Sequence, residues 1–354
     1  MTAPRITLKS IAQQLGVSAT TVSRVLNGQA ERYRISKTTE TAIRQFAAKI
    51  RFTPNPVARG LRLKKTSTIG LVIPDISNPF FAGIVRQVTL GARDGRYSVI
   101  VCDSQETEEL EIESLELLRN RDVEGIVLCP VGRSADHLAQ FEQGDVPVVL
   151  ADRYFPGLRL PYVASDNFTG AKQATAYLLQ QGHRRIACLR GLHGTSPNED
   201  RLRGYCDAMQ SHNVPIDDRL LVGDSYGEQS GYIATKLLLK VVPDFTAILA
   251  FGNLISLGSM RALSEEGLKI PDDISIVSFD DQPYSAYLAA PMTTVAQSSC
   301  EMGQIAFKLL LDRIHSSQPA ISGGILLPTN LVIRQSVRNL TQHESGRSQR
   351  HVCG

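Results

Sequence analysis

From Leu8 onward the apolar positions recur at helical spacing. Leu8, Ile11, Ala12 and Leu15 fall on one face, Gly16 supplies a turn, and Val22, Val25 and Leu26 line a second short helix. Ile43, Phe46, Ala47 and Ile50 form the inner stripe of a third. Thr7, Ser18 and Ser36 stand where N-caps belong, each with a side-chain oxygen for the free amides of a first turn. Two short helices joined through a glycine turn predict a helix-turn-helix, and the third helix closes a small core. After Thr66 the period changes. Apolar runs at 69–73, 98–102, 125–129, 146–151, 185–189, 247–251 and 274–279 read as buried strands alternating with helices. That alternation predicts parallel sheets in an α/β body, and roughly 270 residues of it suit two lobes better than one.

Charge sharpens the division. Residues 1–65 hold thirteen Lys and Arg against two acids, Glu31 and Glu40, a net of +11. The remaining 289 residues hold 25 bases and 33 acids, a net of −8, so the overall +3 hides a basic head on an acidic body. A basic head predicts a polyanionic partner. No apolar run approaches the ~20 residues of a membrane helix, and the polar first ten residues do not form a signal peptide, so no membrane role and a cytoplasmic location are expected. Six scattered cysteines with no CxxC are expected to be free thiols, with no metal site and no cofactor. A P-loop, HExxH and GxGxxG are missing, which points away from an enzyme.

The second helix opens with small residues, which let a helix end enter the major groove. Ala19, Thr20 and Arg24 are expected to face base edges, with Arg24 shaped to read guanine O6 and N7. Ser18, Thr21, Ser23 and Asn27 suit phosphates.

The segment TLKSIAQQLGVSATTVSRVLNG, continuing through FTPNPVARGL, resembles the DNA-binding head and hinge of the LacI/GalR family of bacterial transcription regulators. IGLVIPDISNPFF, VASDNFTGAKQATAYLLQQGHRRIA, IPDDISIVSFDD and TTVAQ extend the resemblance to about Arg338. It implies a helix-turn-helix domain over 1–53, a hinge over 54–65, and an effector-binding and dimerisation domain over 66–340. That body is a two-lobed, periplasmic-binding-protein-like core of parallel sheets. Its first lobe is 66–164 plus 293–327, its second 165–292 plus 328–340, and a polar tail fills 341–354. By resemblance Thr7, Ser36, Thr39, Asn55 and Val57 join the DNA contacts, while Ala58 and Leu61 enter the minor groove and Leu61 wedges between base steps. Pro54, Pro56 and Gly60 suit a hinge that becomes helical only on DNA. The tail lacks a leucine heptad, so a homodimer on a pseudo-palindromic operator is expected.

Ligands of open α/β sheets bind at the carboxyl ends of strands. Asp152, Asn253 and Asp280 follow such strands, Phe80 and Phe81 open the helix after the first, and the resemblance adds Arg201 and Tyr226. Carboxylates, an amide, an arginine and aromatics make a carbohydrate-binding mixture. The resemblance therefore implies a repressor of carbohydrate catabolism controlled by a sugar or sugar acid. The long loop RYRIS at Arg32–Ser36 and the hinge ending Gly60-Leu61-Arg62 are similar to the fructose-repressor branch. They keep a phosphosugar open, with Arg153, Arg190, His193 and Arg201 as its phosphate site.

Overall fold

The computed structural model describes residues 7–50, 52, 66–142, 144–315 and 323–341. The chain divides into two compact units, Met1–Thr66 and Ser67–Gly354. In the first, α1 (Leu8–Leu15), α2 (Ala19–Leu26) and α3 (Lys37–Lys49) each start on a side-chain cap. The Ser10 N–H donates to the Thr7 hydroxyl at 3.2 Å while the Thr7 N–H donates back to Ser10 Oγ at 2.9 Å. The Thr21 N–H donates to Ser18 Oγ at 3.0 Å, and the Thr39 N–H to Ser36 Oγ at 3.2 Å. Gly16 ends α1 at φ 63°, a left-handed turn that a β-carbon disfavours. Ile11, Val22, Val25 and Ile43 are fully buried, with Phe46, Ile50 and Phe52 packed around them. The segment carrying Asn55, Val57, Ala58 and Leu61 lies outside the described residues.

The second unit contains β1 (Thr68–Ile73), α4 (Pro79–Asp94), β2 (Ser98–Asp103), α5 (Glu108–Asn120), β3 (Ile126–Leu128), β4 (Val148–Ala151) and β5 (Tyr162–Ser165). There follow α6 (Asn167–Gln180), β6 (Ile186–Leu189), α7 (Ser196–Ser211), β7 (Leu221–Val222), α8 (Glu228–Val241), β8 (Ala247–Ala250), α9 (Asn253–Glu265) and β9 (Ser275–Phe279). β10 (Thr293–Ala296), α10 (Ser299–His315), β11 (Gly324–Leu327) and β12 (Asn330–Val332) complete it. The strands form two six-stranded sheets, β11-β5-β4-β3-β1-β2 and β12-β10-β9-β8-β6-β7. The first is wholly parallel, and in the second only edge strand β12 runs antiparallel to its neighbour.

Central strands buried on both faces explain the continuous apolar runs. Along β1, Ile69, Leu71 and Ile73 pack on one side with Phe81, Ile84, Val88, Phe307 and Leu310, whereas Val72 packs on the other with Leu115 and Leu118. A single core around β6, β8 and β9 serves the second lobe. Cys129 and Cys188 are buried free thiols within these sheets. Among the described residues, no helix is long and apolar enough to cross a membrane.

One lobe boundary differs from expectation. The crossing expected at Met292–Thr293 falls after Ala296, because β10 hydrogen-bonds to β9 and β12 of the second sheet. The chain then enters α10, whose Met302, Phe307 and Leu310 pack in the first lobe. A strand's lobe is set by its hydrogen-bonded neighbours, and the short segment TTVA does not name them. β5, β7, β10, β11 and β12 lie outside the apolar runs that the sequence shows.

Candidate functional site

In the head, Thr20 is exposed, Arg24 is half-exposed, and Ala19 is half-buried against the three-helix core. Ser23, expected at phosphate, is instead buried, and the Asn27 amide donates to its carbonyl at 2.6 Å and its hydroxyl at 3.3 Å. These two side chains lock the last turn of α2, which faces the core because Val22 and Val25 flank them. Ser18 and Thr21 bond each other through their hydroxyls at 2.8 Å, as do Ser36 and Thr39. The Arg24 guanidinium lies 3.8 Å from the centroid of the Tyr33 ring.

In the body, Phe80, Phe81, Asp152, Arg201, Tyr226, Asn253 and Asp280 line one cleft between the lobes. Asn78, Glu106, Arg153, Pro197, Gly252 and Gln297 complete it. Of these, only Arg153 is among the sequence-based candidates, as a phosphate ligand. Asn78, Glu106 and Gln297 also follow the carboxyl ends of strands (β1, β2 and β10), so the switch-point rule was the available signal.

Asp152 and Asp280 occupy equivalent places. Each follows the end of its strand with left-handed backbone, φ 68° and 72°. The Asp152 N–H donates to the Val163 carbonyl at 2.9 Å and the Asp280 N–H to the Val295 carbonyl at 3.0 Å. Thus in both lobes the backbone stays tied to the next strand. Such backbone is uncommon outside glycine, though Asp tolerates it better than most residues. Its occurrence twice, at one cleft, is the kind of local strain found at binding sites.

Arg201 is buried on α7. Its Nε–H donates to Asn167 Oδ1 at 2.7 Å, Nη1 donates to the Phe251 carbonyl, and the guanidinium lies 4.0 Å from the Phe279 ring centroid. These contacts fix its plane and leave its remaining N–H donors for the cleft. The Asn253 N–H donates to Asp280 Oδ2 at 3.2 Å, and the Gln297 amide donates to Asp280 Oδ1. Tyr226 fits because Gly191 has no side chain: a β-carbon there would stand 2.3 Å from the tyrosine ring.

Across the cleft, the Asn253 amide donates to Asn78 Oδ1 at 3.1 Å, and the Tyr154 hydroxyl donates to Asp200 Oδ2 at 3.0 Å. Arg153, 4% exposed, is held in a two-pronged pair by Glu106 at 2.7 and 2.6 Å, with its guanidinium 5.1 Å from the Tyr226 ring centroid. Arg190 and His193, also considered for a phosphate, are not in the lining. His193 is exposed, 4.0 Å from Glu199.

Burial pushes Asp152 up to about 6, with Asp280 and Glu106 adding to the rise and Arg153 and Arg201 opposing it. Burial also raises Asp280, against Arg201, the Gln297 amide and the Asn253 N–H.

Residues 7–55 match the model of bacterial regulatory proteins, lacI family, and residues 66–334 match that of periplasmic binding proteins and sugar binding domain of LacI family. The chain belongs to the LacI family. A ribose operon repressor of Halalkalibacterium halodurans is 35% identical over 94% of this chain and 97% of its own length. The transcriptional regulator CelR in complex with cellobiose superposes with a TM-score of 0.69 at 31% identity, over 94% of this chain and all of that one. The lac repressor dimer bound to operator and the anti-inducer ONPF gives a TM-score of 0.82 at 26% identity, over 94% and 99%. This LacI-family chain is therefore a DNA-binding regulator and not an enzyme.

In this family member the raised Asp152 pKa has a definite sign. Held above its unfolded value, the group favours the folded, empty body at low pH, and that contribution is lost as pH rises from about 4 through about 6. A ligand hydroxyl donates more strongly to the ionised carboxylate than to the neutral acid. Such a ligand should bind tighter at pH 7 than at pH 5, by up to about tenfold, and release a proton near pH 6. Calorimetry in buffers of different ionisation enthalpy reads that proton directly. Asp152→Asn should flatten the dependence; a proton taken up on binding would contradict it.

Proposed function

We propose that this protein is a repressor of carbohydrate-catabolism genes whose operator binding is set by a neutral sugar in the inter-lobe cleft. The carrying observation is the charge of the lining. Arg153 and Arg201 face three carboxylates, Glu106, Asp152 and Asp280, which gives a net of −1. Arg153 is already neutralised by Glu106, and Arg201 stands between the fields of Asp152 and Asp280. A phosphate dianion or a sugar carboxylate brought here would meet more negative charge than positive, with burial strengthening the repulsion. A neutral polyol gains instead. Carboxylates accept from its hydroxyls, Arg201 and Asn253 donate, and Phe80 and Tyr226 offer flat apolar surface.

The ribose operon repressor and the cellobiose-bound regulator among its relatives support the same ligand class. The proposed operator contacts are Thr7, Ser18, Ala19, Thr20, Thr21, Ser23, Arg24, Asn27, Ser36 and Thr39, together with the hinge residues Asn55, Val57, Ala58 and Leu61. The protein would act as a homodimer on a pseudo-palindromic site, and hence in the cytoplasm where the operator is.

The test is a thermal-shift screen against pentoses, hexoses, their sugar acids and their phosphate esters. At a hundredfold excess over Kd, a ligand confined to the folded state adds about 2.7 kcal/mol, a rise of several degrees in Tm. Stabilisation by an unphosphorylated neutral sugar is expected. If only phosphate esters stabilised the protein, the charge argument would fail.

A further inference from the structure

We infer that Tyr33, carried on the long loop between α2 and α3, positions the base-reading Arg24. The loop is ordered by its own backbone. The Gln29 N–H donates to the Arg24 carbonyl at 2.9 Å, the Tyr33 N–H to Gln29 at 3.2 Å, and the Ile35 N–H to Ala30 at 2.9 Å. Ala30 is buried in the three-helix core and anchors the turn, while Arg34 closes it at φ 51°. The result places the Arg24 guanidinium carbon over the 41%-exposed Tyr33 ring, 3.8 Å from its centroid. Arg32 sits farther off the same ring, at 5.8 Å.

A guanidinium stacked on a ring is held by its face and keeps its edge free. Among the described residues no hydrogen bond or ion pair occupies the Arg24 edge, so its N–H donors stay available for a bidentate base contact. An unsupported arginine would lose rotamer freedom on binding DNA; here part of that loss has already occurred in the free protein. The long loop thereby contributes to operator selection through a residue that need not touch DNA.

The experiment uses the full chain and an operator selected by it from random duplexes. The ratio of random-DNA Kd to operator Kd is measured at one fixed salt concentration. Tyr33→Ala should lower the ratio about two- to fivefold, the scale of an exposed cation–π contact, and relax the preference for guanine at the affected position. Tyr33→Phe, which keeps the ring, should retain the ratio. In an Arg24→Ala background, Tyr33→Ala should cost nothing further. An unchanged ratio in Tyr33→Ala, or the same loss with and without Arg24, would overturn the inference. It rests on α2 as the reading helix: a failure of Arg24→Ala itself would bring down both, whereas a failure of Tyr33→Ala alone would bring down only this one.

Discussion

Arg201→Ala is expected to abolish the effector response at every attainable sugar concentration while the protein still binds its operator. The arginine does three things at once. It presents charge-assisted donors to the cleft, it offsets the field of Asp152 and Asp280, and it satisfies Asn167 Oδ1 and the Phe251 carbonyl. Losing the donors alone should cost about 3 kcal/mol or more in ligand binding, above a hundredfold in Kd. Without the guanidinium, both carboxylates should rise further toward the protonated form, which weakens them further as acceptors for ligand hydroxyls. Two orphaned acceptors should also lower the Tm of the body. The head folds around its own core of Ile11, Val22, Val25 and Ile43, so operator affinity should persist. Arg201→Lys keeps the charge but not the fork, and should recover only part of the affinity. Gel-shift titration with and without sugar reads both functions. Retention of the response at the original sugar concentration would remove Arg201 from the site.

Arg24→Ala is expected to reduce discrimination between operator and random DNA by about 1–3 kcal/mol, the worth of one bidentate base contact. The salt dependence separates this from a phosphate contact. A base-reading arginine changes the specificity ratio and leaves the slope of log K against log salt nearly intact. A phosphate-bound one lowers that slope by about 0.9 and weakens all sequences alike. The first outcome is expected. The second would reassign the register of α2 on DNA.

The sequence by itself determined the head and the class of the body. The caps at Thr7, Ser18 and Ser36 act within three residues of themselves, and the helical stripes and continuous strands are equally local, so each is written where it operates. The strand-end rule supplied Asp152, Asn253 and Asp280, the start of α4 supplied Phe80 and Phe81, and the resemblance added Arg201 and Tyr226. What the chain does not display locally is which distant groups meet. Arg153 looked like a phosphate ligand until Glu106, 47 residues away, proved to hold it. Asn78 caps α4, yet its oxygen also receives Asn253 from 175 residues along the chain in the other lobe. The burial of Ser23 and its bond to the Asn27 amide are not visible in its polarity alone. Lobe membership of β10, the charge balance of the cleft and the stacking of Tyr33 on Arg24 were likewise decided by tertiary structure. Each depends on where a crossover or a loop returns, and that is settled by packing over the whole unit rather than by any one segment's pattern.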